Sequence, residues 1–77
     1  MKTMAKIAFY GKLAERIGRE IDVELPAEGC TIAALRARFE GLDGAAVRAC
    51  VNDDTVSDDH VVMPGDRVDF LPPLSGG

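Results

Sequence analysis

One stretch of this 77-residue chain has the periodicity of a helix able to cover a core. Ile32, Leu35 and Phe39 recur at i, i+3 and i+7, while Arg36, Arg38 and Glu40 point elsewhere. Apolar residues at that spacing line one face of a 3.6-residue helix. Thr31 stands where its hydroxyl can accept a bond from a first-turn amide, and Gly41 is the expected stop. Phe39 belongs to the apolar face and reads as core. A lone amphipathic helix must find an apolar surface elsewhere in the same chain, and several segments around it alternate like strands.

Met4 to Tyr10 places Ala5, Ile7 and Phe9 on one face against Lys6, Ala8 and Tyr10. Glu20 to Leu25 alternates again, with Ile21, Val23 and Leu25 opposed to Glu20, Asp22 and Glu24, and Pro26 ends it for want of an amide donor. Between them Gly11 and Gly18 bracket a short helical turn with Leu13 and Ile17 four apart. Val47 to Asn52 reads as a third strand closed by the turn residues Asn52-Asp53-Asp54. Pro64-Gly65-Asp66 is another turn, and Arg67 to Leu71 a last strand with Val68 and Phe70 inward. Val56 and Val61–Val62 are too short to assign. The order β-β-α-β-β, with the helix as crossover, predicts an α+β fold: a mixed β-sheet packed on one main α-helix, of the β-grasp type. A ferredoxin-like fold needs a second full helix, which this pattern lacks.

Size and charge narrow the function. Ten of the apolar residues are alanine and there is no Trp. A chain this short buries only roughly 60% of its unfolded surface, so a deep pocket with its own rigid surround is not expected. The net charge of −4 and pI near 4.7 argue against a nucleic-acid partner. No apolar run approaches the ~20 residues of a membrane span, and Met1 to Lys12 lacks a signal-peptide core. The expected setting is cytoplasmic, with no nucleic acid and no membrane as partners.

Cys30 and Cys50 form neither a CxxC pair nor a disulfide framework, and His60 completes no metal set, so no metal is expected. Both cysteines read as small buried or half-buried residues. Charge is uneven: residues 1–52 carry a net +1, whereas residues 53–77 carry six aspartates against Arg67 alone. That acidic stretch reads equally as a solubilising turn or as a patch that steers a basic partner.

The most informative segment is Pro72-Pro73-Leu74-Ser75-Gly76-Gly77. It divides the chain into a domain over 1–71 and a C-terminal tail over 72–77, expected to be flexible. Two prolines stop the strand and carry the chain away stiffly in polyproline II. Six residues at ~3.3 Å each reach about 20 Å from the body. Gly76 and Gly77 have no Cβ and can enter a channel closed to other residues. A terminal carboxylate, with a reference pKa near ~3.5, is ionised and nucleophilic at neutral pH. Attack on the α-phosphate of ATP would give an acyl-adenylate from which a sulfur nucleophile can displace AMP.

Gly65-Asp66-Arg67-Val68-Asp69-Phe70-Leu71-Pro72-Pro73-Leu74-Ser75-Gly76-Gly77 resembles the C-terminus of the small subunits of molybdopterin synthase, the MoaD-like sulfur carriers of the ubiquitin-like family. The opening strand with its Leu13–Gly18 turn, the helix from Thr31 and Val51-Asn52-Asp53 fall in the family's order. The resemblance implies a ubiquitin-like β-grasp with Gly77 as the site of adenylation and then of a thiocarboxylate, and Gly76 and Ser75 as threading residues. Phe70, Leu71, Pro72, Pro73 and Leu74 would form the docking surface. It also implies an E1-like adenylating enzyme that uses ATP, a persulfide sulfur donor, and a large catalytic subunit in a heterotetramer of two small and two large subunits. The chain itself would bind no cofactor and would not be catalytic alone. It would donate sulfur to cyclic pyranopterin monophosphate in molybdenum cofactor biosynthesis. The alternatives are a sister sulfur carrier for thiamin, cysteine or tRNA thiolation, a ubiquitin-like modifier that couples Gly77 to lysines, and a passive interaction module.

Overall fold

Thr31 caps the main helix as its hydroxyl allows, accepting from the Ala34 amide at 3.2 Å. The computed structural model describes residues 3–39, 42 and 47–72. Within them the chain runs β1 (Met4–Phe9), α1 (Lys12–Ile17), β2 (Glu20–Glu24), β3 (Cys30–Thr31), α2 (Ile32–Arg38), β4 (Arg48–Val51), β5 (Asp54–Val56), β6 (Val61–Val62) and β7 (Arg67–Leu71). Five strands form one mixed sheet in the order β2-β1-β7-β4-β5, and β3 pairs with β6 in a separate two-stranded ladder. This is the β-grasp expected from the pattern. It adds the short strands β3, β5 and β6, whose lengths of two or three residues hide any period.

The helix is shorter than its apolar face suggested. It ends at Arg38, and Phe39 already has extended backbone angles (φ −124°, ψ 133°). The reason is packing: Phe39 leaves the helix to set its ring edge-on against Phe9, with centroids 5.3 Å apart. Glu40 and the expected stop Gly41 lie outside the described residues. Leu42, wholly buried, is a core residue the periodicity did not mark. Arg36 secures it from the helix, donating to the Leu42 carbonyl at 2.9 Å and to Asp58 at 2.8 Å.

β1 and β7 lie side by side and parallel at the middle of the sheet, with Ile7 opposite Val68 and Phe9 opposite Phe70. Phe9 and Phe70 stack at 5.8 Å, and both are buried beneath the helix with Ile7, Ile32, Leu35 and Val68. β2 and β4 flank the pair antiparallel. Their outward residues, Glu20, Asp22 and Glu24 on β2 and Arg48 and Cys50 on β4, are exposed or half-buried, in agreement with a sheet covered on one face only.

Two turns set the strand registers. Asn52 and Asp53 join β4 to β5 with both φ angles positive (49° and 75°), the type I′ pattern whose twist suits a two-residue hairpin. The turn is shorter than expected, since Asp54 already pairs with Val51. Met63-Pro64-Gly65-Asp66 closes with the Asp66 amide on the Met63 carbonyl at 3.0 Å. Pro64 pre-sets the first central residue, and Gly65 at φ 95° supplies the positive angle a type II turn needs.

Leu35 sits at the centre of the helix–sheet contact with no exposed surface. Leu35→Ala should cost about 3 kcal/mol, the usual range for a buried leucine truncation. A urea melt read by circular dichroism measures it, and a loss below about 1 kcal/mol would show that α2 is not what closes the core.

Candidate functional site

The parallel pairing of β1 and β7 makes both strands end at the same edge of the sheet. Beyond Phe9 come Tyr10 and Gly11, and beyond Phe70 come Leu71 and Pro72, so the root of the tail emerges beside the start of α1. Of the residues expected to dock a partner, Leu71 and Pro72 are described and half-buried there. Pro73, Leu74, Ser75, Gly76 and Gly77 lie outside the described residues.

Phe70 is a correction. It has no exposed surface, and its ring faces the helix, stacked on Phe9 with the Arg36 guanidinium 5.7 Å from its centroid. Side chains alternate across a strand, so a residue that points into the core cannot also present its ring to a partner. The outward positions of β7 are Arg67, Asp69 and Leu71. Phe70 therefore belongs to the core and leaves the docking set.

The open face of the sheet beside the tail is polar and cross-linked. Asp69 is 8% exposed, the one charged residue buried among those described. It accepts from the Tyr10 hydroxyl and from Arg67 Nε, each at 3.3 Å. Arg67 also reaches Glu20 at 3.4 Å, and Glu20 meets Lys6 at 3.7 Å. The Tyr10 hydroxyl first, then the Asp69 charge, raise the Arg67 pKa above the ordinary guanidinium value. Exposed pairs such as Lys6–Glu20 contribute at most about 1 kcal/mol each. The effect that matters is positional, because the network fixes Tyr10, 41% exposed, at the edge from which the tail leaves. Among the described residues no buried side-chain polar atom lacks a partner.

Tyr10 and Gly11 are the residues that reading the sequence missed at this edge. Their strand was legible, but its parallel partnership with the last strand was not. With Lys12, Ala14, Glu15 and Arg19 they line a shallow groove of about 500 Å³ beside the tail root. A second depression, of about 480 Å³, lies at the opposite end of β1 and β7 among Thr3, Met4, Lys6, Asp22, Gly65, Asp66 and Arg67. Both open broadly to solvent. Among the described residues no three His, Cys, Asp or Glu converge as metal ligands, and no helix is long and apolar enough to cross a membrane.

The cysteines are both half-buried and free, apart in the fold. Cys30 donates to the Thr31 carbonyl at 3.4 Å, and Cys50 lies 3.7 Å from the Thr55 hydroxyl. The acidic stretch is divided by the fold. Asp58 pairs with Arg36, Asp66 accepts from the Met63 amide and from Asn52, and Asp69 is buried in the network beside the tail. Asp59 accepts from the Ser57 hydroxyl, which with its own backbone amide holds its pKa below the usual carboxylate value.

The model of the ThiS family matches residues 7–77, from the middle of β1 through the tail. The chain belongs to the ThiS family. It is 33% identical to the molybdopterin synthase sulfur carrier subunit of Escherichia coli strain K12, over 96% of this chain and all of that one. Among solved structures it resembles small archaeal modifier protein 1 of Haloferax volcanii, with a TM-score of 0.73 and 21% identity over 94% of this chain and 99% of that one. It also resembles a chain in the complex of subunits 1 and 2 of molybdopterin-converting factor from Helicobacter pylori 26695, with a TM-score of 0.63 and 24% identity over 96% and 99%. This ThiS-family chain thus has the ubiquitin-like β-grasp, with its matched segment ending in the Gly-Gly tail.

Removing the Tyr10 hydroxyl takes one of two donors from a buried carboxylate. Tyr10→Phe should therefore cost about 1 kcal/mol, whereas Asp69→Leu, which leaves Arg67 paired to Glu20 alone, should lower the salt dependence of a urea melt as well. Equal stability of Tyr10→Phe and wild type would show that the network does not hold Tyr10.

Asp59, with a depressed pKa, stabilises the fold at pH above the usual 3.8 and loses that contribution as pH falls through its lower folded value. Ser57→Ala removes the first cause, so the Asp59 carboxyl should titrate closer to 3.8 in a carbon-detected NMR pH series. An unmoved titration would assign the depression to the backbone amide instead.

Proposed function

We propose that this chain is the sulfur carrier subunit of a molybdopterin synthase and that its reacting group is the carboxylate of Gly77. The observation that carries the reading is the 33% identity to the Escherichia coli sulfur carrier subunit over nearly the whole of both chains, in a chain that keeps a Gly76-Gly77 ending. An E1-like enzyme joins the Gly77 carboxylate to the α-phosphate of ATP, with loss of pyrophosphate. The terminal sulfur of a persulfide donor then displaces AMP to give an acyl persulfide, and a thiol cleaves its S–S bond, leaving a C-terminal thiocarboxylate and a disulfide between that thiol and the donor. That group donates its sulfur to cyclic pyranopterin monophosphate inside a large catalytic subunit, toward the dithiolene of molybdopterin.

The residues of this chain have mechanical tasks in that sequence. Gly77 supplies the carboxyl carbon, and Gly76 and Ser75 thread a narrow channel where a larger side chain would block approach to the reacting atom. Leu71, Pro72, Pro73 and Leu74 give the large subunit an apolar approach to the tail. The core, closed under α2, is the handle. The Helicobacter pylori relative, whose structure is a complex of subunits 1 and 2, supports a large subunit as partner; the assembly proposed with it is a heterotetramer of two small and two large subunits. No cofactor is bound by the chain in this reading, since ATP is held by the adenylating enzyme.

The test is direct. Incubation with an E1-like enzyme, ATP and a persulfide source should replace one terminal oxygen by sulfur in the intact mass, and the product should convert cyclic pyranopterin monophosphate when the large subunit is added. Deletion of Gly77, or one added residue, should abolish both steps and leave the urea midpoint unchanged. Conjugates to lysine in place of the sulfur shift would favour a protein modifier, and binding to a thiazole synthase in place of the large subunit would favour a thiamin carrier.

A further inference from the structure

Gly11 has backbone angles of φ 61° and ψ −135°, open in practice to glycine alone. A Cβ there would sit closer to its neighbour than ordinary van der Waals contact allows. The nearest atoms are all in the Pro72 ring: Cγ at 3.0 Å, Cβ at 3.9 Å and Cδ at 4.0 Å. Gly11 is held from both sides, by the end of β1 before it and by the first turn of α1 after it, where its carbonyl accepts from the Ala14 amide at 3.1 Å. Pro72 is half-buried on this seat, immediately beyond the last paired residues of β7.

We infer that Gly11 is a positioning residue for the tail: its missing Cβ forms the seat of the Pro72 ring and so sets the direction in which residues 73–77 leave the sheet. Proline fixes its own φ near about −65°, so where the ring rests determines where the next residue starts. The five residues beyond it span at most about 16 Å, and a turn of about 20° at the root moves the tip by about 5 Å. A receiving channel can still accept a misdirected tail, but only by ordering it at the moment of binding. A root aimed in advance lowers that cost. The seat therefore acts on capture of the tail, seen in KM, and not on the chemical step, seen in kcat. The kinetic arm of this inference rests on the sulfur-carrier reading, while its geometric arm does not.

The experiment uses the full chain in three variants, Gly11→Val, Pro72→Ala and the two combined. For the geometric arm a nitroxide is placed by Ser75→Cys in a Cys30→Ser, Cys50→Ser background, and paramagnetic broadening of amides in β1, α1 and β4 is measured. Gly11→Val should shift the broadening from one side of the tail root to another, and Pro72→Ala should spread it evenly with an unchanged urea midpoint. For the kinetic arm, sulfur transfer with the large subunit should show KM raised about tenfold with kcat retained, the scale of ordering one more backbone residue. Adding Pro72→Ala to Gly11→Val should bring KM back to the Pro72→Ala value, because the clash is relieved although the strain at residue 11 is not. Broadening that is the same in all variants overturns the inference, as does a Gly11→Val defect that Pro72→Ala does not relieve. If Gly11→Val does not fold, the broadening in Pro72→Ala decides alone. A wild-type chain that accepts no sulfur refutes the carrier reading and leaves the broadening to judge the seat.

Discussion

The parallel pairing of β1 with β7 is the constraint from which the rest of this small fold follows. It joins segments more than fifty residues apart at the middle of the sheet, so the entropy of closing that loop must be recovered by what the pair buries. Phe9 and Phe70 supply much of it by stacking on the helix side, and Phe39 closes over them from the end of α2. Parallel pairing also makes the two strands finish together. An antiparallel pair would have sent β1 away from the edge at which β7 releases the tail.

The same pairing separates two tasks along one strand. Phe70 points inward and fixes β7 to the core, while Asp69 and Leu71 point outward, to the network with Tyr10 and Arg67 and to the tail root. The outward face owes little stability to its ion pairs, which are mostly exposed and screened. Their contribution is to keep the surface around the exit in one arrangement. The tail then begins from Pro72 on a rigid edge, which is what a carrier needs when the pocket and the chemistry belong to a partner. A core of this size has little room for both a handle and an active site, and the carrier reading requires only the first.

Much of this was legible in the chain. The capped helix from Thr31, the alternation of β1 and β2, the inward pair Val68 and Phe70, and the two turns all follow from local residue chemistry. What stayed hidden has a physical reason in each case. β3, β5 and β6 are too short to show a period. The helix ends two residues early because Phe39 gains more by packing on Phe9 than by a further turn. Leu42 is isolated in sequence, and its place in the core cluster, with Arg36 on its carbonyl, comes from tertiary contacts. The family resemblance places Phe70 in the docking surface, whereas the alternation that already turns it inward assigns it to the core.

By itself the sequence determined the two-layer α+β composition, the place where the last strand must stop, and a Gly76-Gly77 pair without side chains, since these depend on periodicity, on the missing amides of Pro72 and Pro73 and on the missing Cβ atoms of the two glycines. Only the tertiary structure decided which strand lies beside β7, which face of that strand is free, and that Tyr10 and Gly11 border the tail. Those depend on contacts between distant segments, whose register is set by shared burial and carries no local mark in either segment.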